Sequence, residues 1–124
     1  MPPVISSHSA GAVIYRVQEQ SIVEVLAVQY RRGDKISWRL PLGKGQPNET
    51  LTETFRRRVA YEVAERPEAL TLKMAVETPI YSEITAHAEH KGEAHLKVFF
   101  LAEIVFGSLR TRDQSHGAQA EWGQ

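Results

Sequence analysis

Arg58, Tyr61 and Glu62 are spaced i, i+3 and i+4, so a helix through them carries all three on one face. That face offers one guanidinium, one phenol ring and one carboxylate, and its formal charge sums to zero. A carboxylate is an oxygen ligand for a hard cation such as Mg2+, but a single one beside a fixed positive charge makes a weak cation site. Arg58 can instead pair with Glu62 one turn away, worth roughly 0.2–0.5 kcal/mol on an exposed helix. Arg58 closes the run Arg56-Arg57-Arg58, and Lys44 stands between Gly43 and Gly45. Lys44, in a glycine-containing loop, and Arg58, on the helix face, are candidate phosphate contacts. The alternative is that such a run is merely solvated. Tyr61 and Trp38 bring flat rings that can pack internally or stack on a ligand.

Other chemistries are poorly served. His87, His90 and His95 flank a turn, and imidazole suits zinc or nickel. No helical ligand spacing connects them, and an exposed hairpin is the commoner explanation. Gly43-Lys44-Gly45 lacks the Gly-Lys-Ser/Thr ending of a nucleoside-triphosphate loop, and no Ser-His-Asp order is present. Without cysteine there is no thiolate zinc site, disulfide scaffold or cysteine nucleophile.

The elements that must position these residues can be read from periodicity. Leu51, Phe55, Val59 and Val63 recur every four residues and predict a helix over Thr50–Glu65, about 24 Å long. Thr50 and Glu53 form a capping box, and Pro67 marks the stop. Before it, Ala10–Val17 and Ile22–Tyr30 read as strands joined by a hairpin loop, followed by a short strand at Ile36–Leu40. Pro41–Asn48 reads as a loop rich in breakers. After it come strands at Leu70–Glu77, Ile80–His87 and Ala94–Phe106. The last is apolar on both sides and therefore central in a sheet with both faces covered. Residues 1–6 read as an N-terminal tail and 107–124 as a polar C-terminal segment of a single domain.

With 124 residues, one domain can bury roughly two thirds of its unfolded surface. Fifteen basic and fifteen acidic side chains (Lys+Arg 15, Asp+Glu 15) give a net charge of +0, with no global attraction to nucleic acid or anionic membranes. No stretch approaches the roughly 20 apolar residues of a membrane helix, and no targeting segment is visible, so a cytoplasmic location is expected.

From Gly43 the chain runs five residues to Glu49, seven more to Arg57, and then Arg58-Val59-Ala60-Tyr61-Glu62-Val63-Ala64-Glu65. This stretch resembles the box of the Nudix hydrolase family, and Trp38-Arg39-Leu40-Pro41-Leu42-Gly43 is similar to the family's approach to it. The resemblance covers about Ser7 to Trp122. It implies an α/β/α sandwich with a mixed, curved sheet. It also implies hydrolysis of a nucleoside diphosphate linked to another moiety, with Mg2+ or Mn2+. Gly43, Glu49 and Arg57 match the box, and the last two correspond to a structural pair between loop and helix. The family's three metal glutamates fall on Arg58, Tyr61 and Glu62, so only Glu62 is left as a catalytic carboxylate and metal ligand. Lys44, Arg58, Tyr61 and Trp38 are the residues expected around a nucleotide-like ligand.

The expected activity is therefore weak or absent. A nucleotide-binding sensor and an interaction module are the alternatives. The family's glycine near the helix end is Ala64, and its glycine before the box glutamate is Asn48. A further family carboxylate or base corresponds loosely to Asp113, His116 or Glu121. The helix that usually follows the Trp-containing strand is not expected here, because the chain ends two residues after Trp122. A fragment of a longer protein or a self-associating domain would each account for the uncovered sheet face, and a homodimer is expected.

Overall fold

The computed structural model describes residues 3–87, 89–110 and 119–123. Among these, the strands are β1 (Val4–Val17), β2 (Val23–Arg32), β3 (Lys35–Arg39), β4 (Leu42–Lys44), β5 (Thr71–Met74), β6 (Tyr81–Ala86), β7 (Glu93–Phe106) and β8 (Gln119–Gly123). One α-helix, α1 (Leu51–Val63), lies between β4 and β5. The sheet is mixed. β1 and β7 run parallel over most of their length, from Val4 opposite Glu93 to Ile14 opposite Ala102. The other pairings are antiparallel. β7 is central, with β1 on one side and β5 and β6 on the other, as its two-faced apolar sequence predicts. This is the Nudix-type arrangement of a mixed sheet with the box helix packed on one face.

β1 serves two neighbours. Tyr15, Arg16 and Val17 pair with β2, while Ser9, Ala10 and Gly11 pair with β4. The second pairing fastens the box loop to the sheet. Gly11 leaves room for it, since a Cβ there would collide with the carbonyl of Pro41. β2 also pairs with β3 and with β8.

Three segments differ from the sequence reading. Val4 and Ile5, placed in the tail, begin β1 and pair with Glu93 and Ala94. Leu42–Lys44, placed in the loop, is a strand. Gln119–Gly123, placed in the polar C-terminal segment, pairs with β2. Each is held by backbone bonds to a neighbouring strand, which leave no alternating pattern to read.

α1 begins at Thr50, whose hydroxyl accepts from the Glu53 amide at 3.1 Å while the Glu53 carboxylate accepts from the Thr50 amide at 2.9 Å. Phe55, Val59 and Val63 are fully buried against Ala10, Ala12, Ile14, Val98 and Phe100. The Phe55 and Phe100 rings lie 4.9 Å apart. Burying each of the larger side chains contributes about 1.5–3 kcal/mol. The helix stops earlier than the periodicity suggests. Ala64 is extended (φ −88°, ψ 142°) and bridges to Leu109. An alanine at this point resists the left-handed cap that glycine accepts, and the chain leaves as a strand-like link instead. No helix among the described residues is long and apolar enough to cross a membrane.

Candidate functional site

β4 runs beside α1 and brings Gly43 against the side chain of Arg58. A Cβ at Gly43 would overlap the Arg58 guanidinium and crowd its Cβ at 2.8 Å. Glycine is thus what lets Arg58 lie flat on the strand. There Arg58 Nη2 donates to Glu62 Oε1 at 3.2 Å, while its Nε is buried without an acceptor. From β2, the Tyr30 hydroxyl donates to Glu62 Oε2 at 2.8 Å. Glu62 is 8% exposed, and both of its oxygens are engaged by protein. Burial first, and then the Glu62 carboxylate, push the Tyr30 phenol up to about 12.

Arginines surround this core. The Arg39 guanidinium lies 5.2 Å from the Tyr30 ring centre. Arg58 and Arg110 lie 5.2 Å and 5.8 Å from that of Tyr61. Arg110 is 9% exposed and donates to the Tyr61 carbonyl at 2.9 Å, in the last turn of α1. Beside Tyr30, a groove of about 580 Å3 runs along the β2–β3 hairpin, lined by Arg31, Arg32, Lys35, Ser37 and Arg39.

A divalent cation does not fit the Glu62 face. Magnesium needs an octahedral oxygen shell, and here there is a single carboxylate with a protein donor already on each oxygen and a guanidinium alongside. No group of three or more His, Asp or Glu that could hold a metal occurs among the described residues.

The box loop is fixed by Glu49. Arg57 Nε donates to Oε2 at 2.7 Å, Arg57 Nη2 to Oε1 at 2.8 Å, the Gln46 amide at 2.9 Å and the Thr54 hydroxyl at 2.7 Å. Arg57, first, and the other two donors hold the Glu49 carboxyl well below the usual range. Arg57 also donates to the Lys44 carbonyl at 3.2 Å. Asn48 turns the loop at φ +67°, a conformation asparagine tolerates better than most residues.

The structure brings Arg58, Tyr61 and Glu62 together and separates Lys44 and Trp38 from them. Lys44 sits opposite Ser9 in the sheet, on the other face of β4 from Gly43. Trp38 sits opposite Gln29, one position from Tyr30 and so on the other face of β2, and it is 47% exposed. Glu121 is opposite Ala27 and falls on the Trp38 side. Asp113 and His116 lie outside the described residues. The His87 and His90 rings lie 4.8 Å apart, tilted by 59°, whereas His95 bonds to Ser7 and Ser9 at 2.7 Å and 2.8 Å. Sequence reasoning missed Tyr30, Arg39 and Arg110. Tyr30 ends a strand candidate and Arg110 stands in a polar stretch, and neither position carries a local signal.

The NUDIX domain family matches residues 7–123. No match was found among curated proteins. Among solved structures, the fold is similar to a NUDIX hydrolase from Nitrosomonas europaea, with a TM-score of 0.60 and 21% identity over 98% of this chain and 72% of that one. The Ap4A hydrolase of C. elegans is 25% identical, with a TM-score of 0.56 over 98% and 80% of the two chains. A protein from Jonesia denitrificans, described as a possible asymmetric diadenosine tetraphosphate hydrolase, reaches a TM-score of 0.67 at 11% identity over 98% and 76%. The box helix, the mixed sheet and a family match across nearly the whole sequence agree: this chain belongs to the Nudix family.

Proposed function

We propose that this protein keeps the nucleotide-binding cleft of the Nudix family but hydrolyses nucleoside diphosphate derivatives weakly or not at all. The observation that carries the reading is the closure of Glu62, whose two oxygens are taken by Tyr30 and Arg58. Catalysis by metal needs an open carboxylate face that clamps a pyrophosphate through the ion. Here Arg58 occupies that face as a fixed cation. The groove lined by Arg31, Arg32, Lys35 and Arg39 supports an anionic, nucleotide-like ligand held by guanidinium groups, with the Tyr30 and Tyr61 rings beside it. Trp38, on the opposite face of β2, has no part in this reading, and neither has Lys44, on the face of β4 opposite Gly43.

The test is a panel of dinucleoside polyphosphates, nucleotide sugars and nucleoside triphosphates with Mg2+ or Mn2+. Turnover that Glu62→Gln abolishes overturns the reading. A thermal-shift panel with and without EDTA separates a nucleotide-binding sensor from an interaction module: the sensor is stabilised by nucleotide in EDTA, the module is not.

Self-association belongs to the same proposal. The sheet face away from α1 carries half-exposed Val13, Phe99 and Leu101 and exposed Tyr81, with no α-helix over it among the described residues. A homodimer through this face is expected, and a monomeric mass in solution by light scattering counts against it.

A further inference from the structure

A second cavity, of about 400 Å3, lies between the start of β1 and the box loop. Ser6, Ser7, His8, Lys44, Gln46 and Asn48 are among its walls. It is separate from the Glu62 face. His8 bonds to Thr54 at 2.6 Å, and Thr54 is two helical turns before Glu62, about 12 Å along the axis.

The cavity also contains Glu49, but that carboxylate is spent. Four donors from Arg57, Gln46 and Thr54 fill its two oxygens, and Arg57 cancels its charge. Because the Thr54 hydroxyl donates to Glu49, it must accept from His8, so His8 Nε2 carries a hydrogen. The imidazole packs against Gly45, where a Cβ would overlap it. Lys44 makes no ion pair among the described residues. What remains uncompensated at the cavity wall is the Lys44 ammonium.

We propose that this cavity is an oxyanion site that takes a phosphate group, held by the Lys44 ammonium and the Ser7 hydroxyl. Ser7 is itself positioned by its bond to His95 Nδ1: the proposal requires the tautomer with hydrogen on Nδ1, in which Ser7 accepts from the ring and keeps its own hydrogen for the anion while Ser9 donates to Nε2. The local field agrees in sign: partial burial and then Lys44, with His8, His87 and Lys97 behind it, push His95 below the usual histidine value. A charge that disfavours imidazolium favours a bound anion at the same place.

Inorganic phosphate and a simple phosphate monoester are titrated in separate arms into the full chain in EDTA, with backbone amide shifts recorded by NMR. Saturable shifts at Ser6, Ser7, His8, Lys44, Gly45 and Asn48 are expected in at least one arm. Lys44→Ala should weaken binding about tenfold, the scale of one charge-assisted hydrogen bond, and Ser7→Ala by less. Lys44→Arg should retain binding, and Tyr61→Ala should leave it unchanged. Lys44 is exposed, so its loss does not threaten folding. Unchanged affinity in Lys44→Ala, shifts centred on Tyr61 and Arg110, or shifts that never saturate overturn the proposal. Because Tyr61→Ala reports on the other cleft, failure here is distinct from failure of the proposed function.

Discussion

The hydroxyl of Tyr30 donates to Oε2 of Glu62 at 2.8 Å and joins β2 to the helix face on which the Nudix box is built. Arg58 takes the other oxygen, so one carboxylate is shared between a phenol and a guanidinium. The arrangement is self-contained. It gives Glu62 the partners a buried carboxylate requires without any ion, and it makes the box face a structural joint as much as a surface for ligands.

Tyr30→Phe removes one of these partners and leaves Oε2 buried without a donor. A loss of about 1–3 kcal/mol in folding stability is expected, read from urea denaturation. The phenol offers a second readout. Its value is raised from 10.0 to about 12 in the fold, so its contribution is fully present below its unfolded value and is lost as pH rises through the folded one. Glu62→Gln should lower the titration seen by ultraviolet absorbance, while leaving it above an exposed tyrosine because burial persists.

Gly43→Ala places a methyl group on the Arg58 side chain. Overpacking of this kind costs typically 1–3 kcal/mol. The nearest collisions are with the Arg58 guanidinium, so Arg58→Ala should relieve that part, while the contact with the Cβ of residue 58 at 2.8 Å persists. The double variant should be clearly more stable than the sum of the two single changes implies, as measured by a double-mutant cycle in denaturant.

Removing the cation and restoring acids should open the face to metal. Arg58→Glu with Tyr61→Glu sets three carboxylates at i, i+3 and i+4. Saturable Mn2+ binding, followed by electron paramagnetic resonance, should appear in the double variant and be absent in the parent. Hydrolysis gained at the same time would show that the cleft has kept its shape.

The Glu49–Arg57 joint should dominate the acid limb of stability. The Glu49 carboxyl is held below its usual value, chiefly by Arg57. Its contribution is present above the unfolded carboxylate value, about 4.3, and is lost as pH falls below that toward the depressed folded value. Glu49→Gln should flatten the fall in melting temperature across that acid range and lower stability at neutral pH.

Much of this was legible in the residues themselves. The four-residue apolar repeat, the Thr50–Glu53 box and Pro67 place the helix, because helix signals are local in the chain. The two-faced run at Ala94–Phe106 gives the central strand, and the spacing of Gly43, Glu49 and Arg57 gives the family resemblance. The neutral face of Arg58, Tyr61 and Glu62 is equally a property of the sequence, since helical spacing fixes which side chains are neighbours.

Tertiary structure alone decided what that face does. Tyr30 is 32 residues from Glu62 and Arg110 is 49 from Tyr61, and no local pattern predicts either hydrogen bond. The pairing of β4 with β1 put Lys44 on the face opposite Gly43, because side chains alternate across a strand. A loop reading carries no such alternation and left Lys44 beside the box. Sequence thus set the inventory of charges, and strand register set which of them meet.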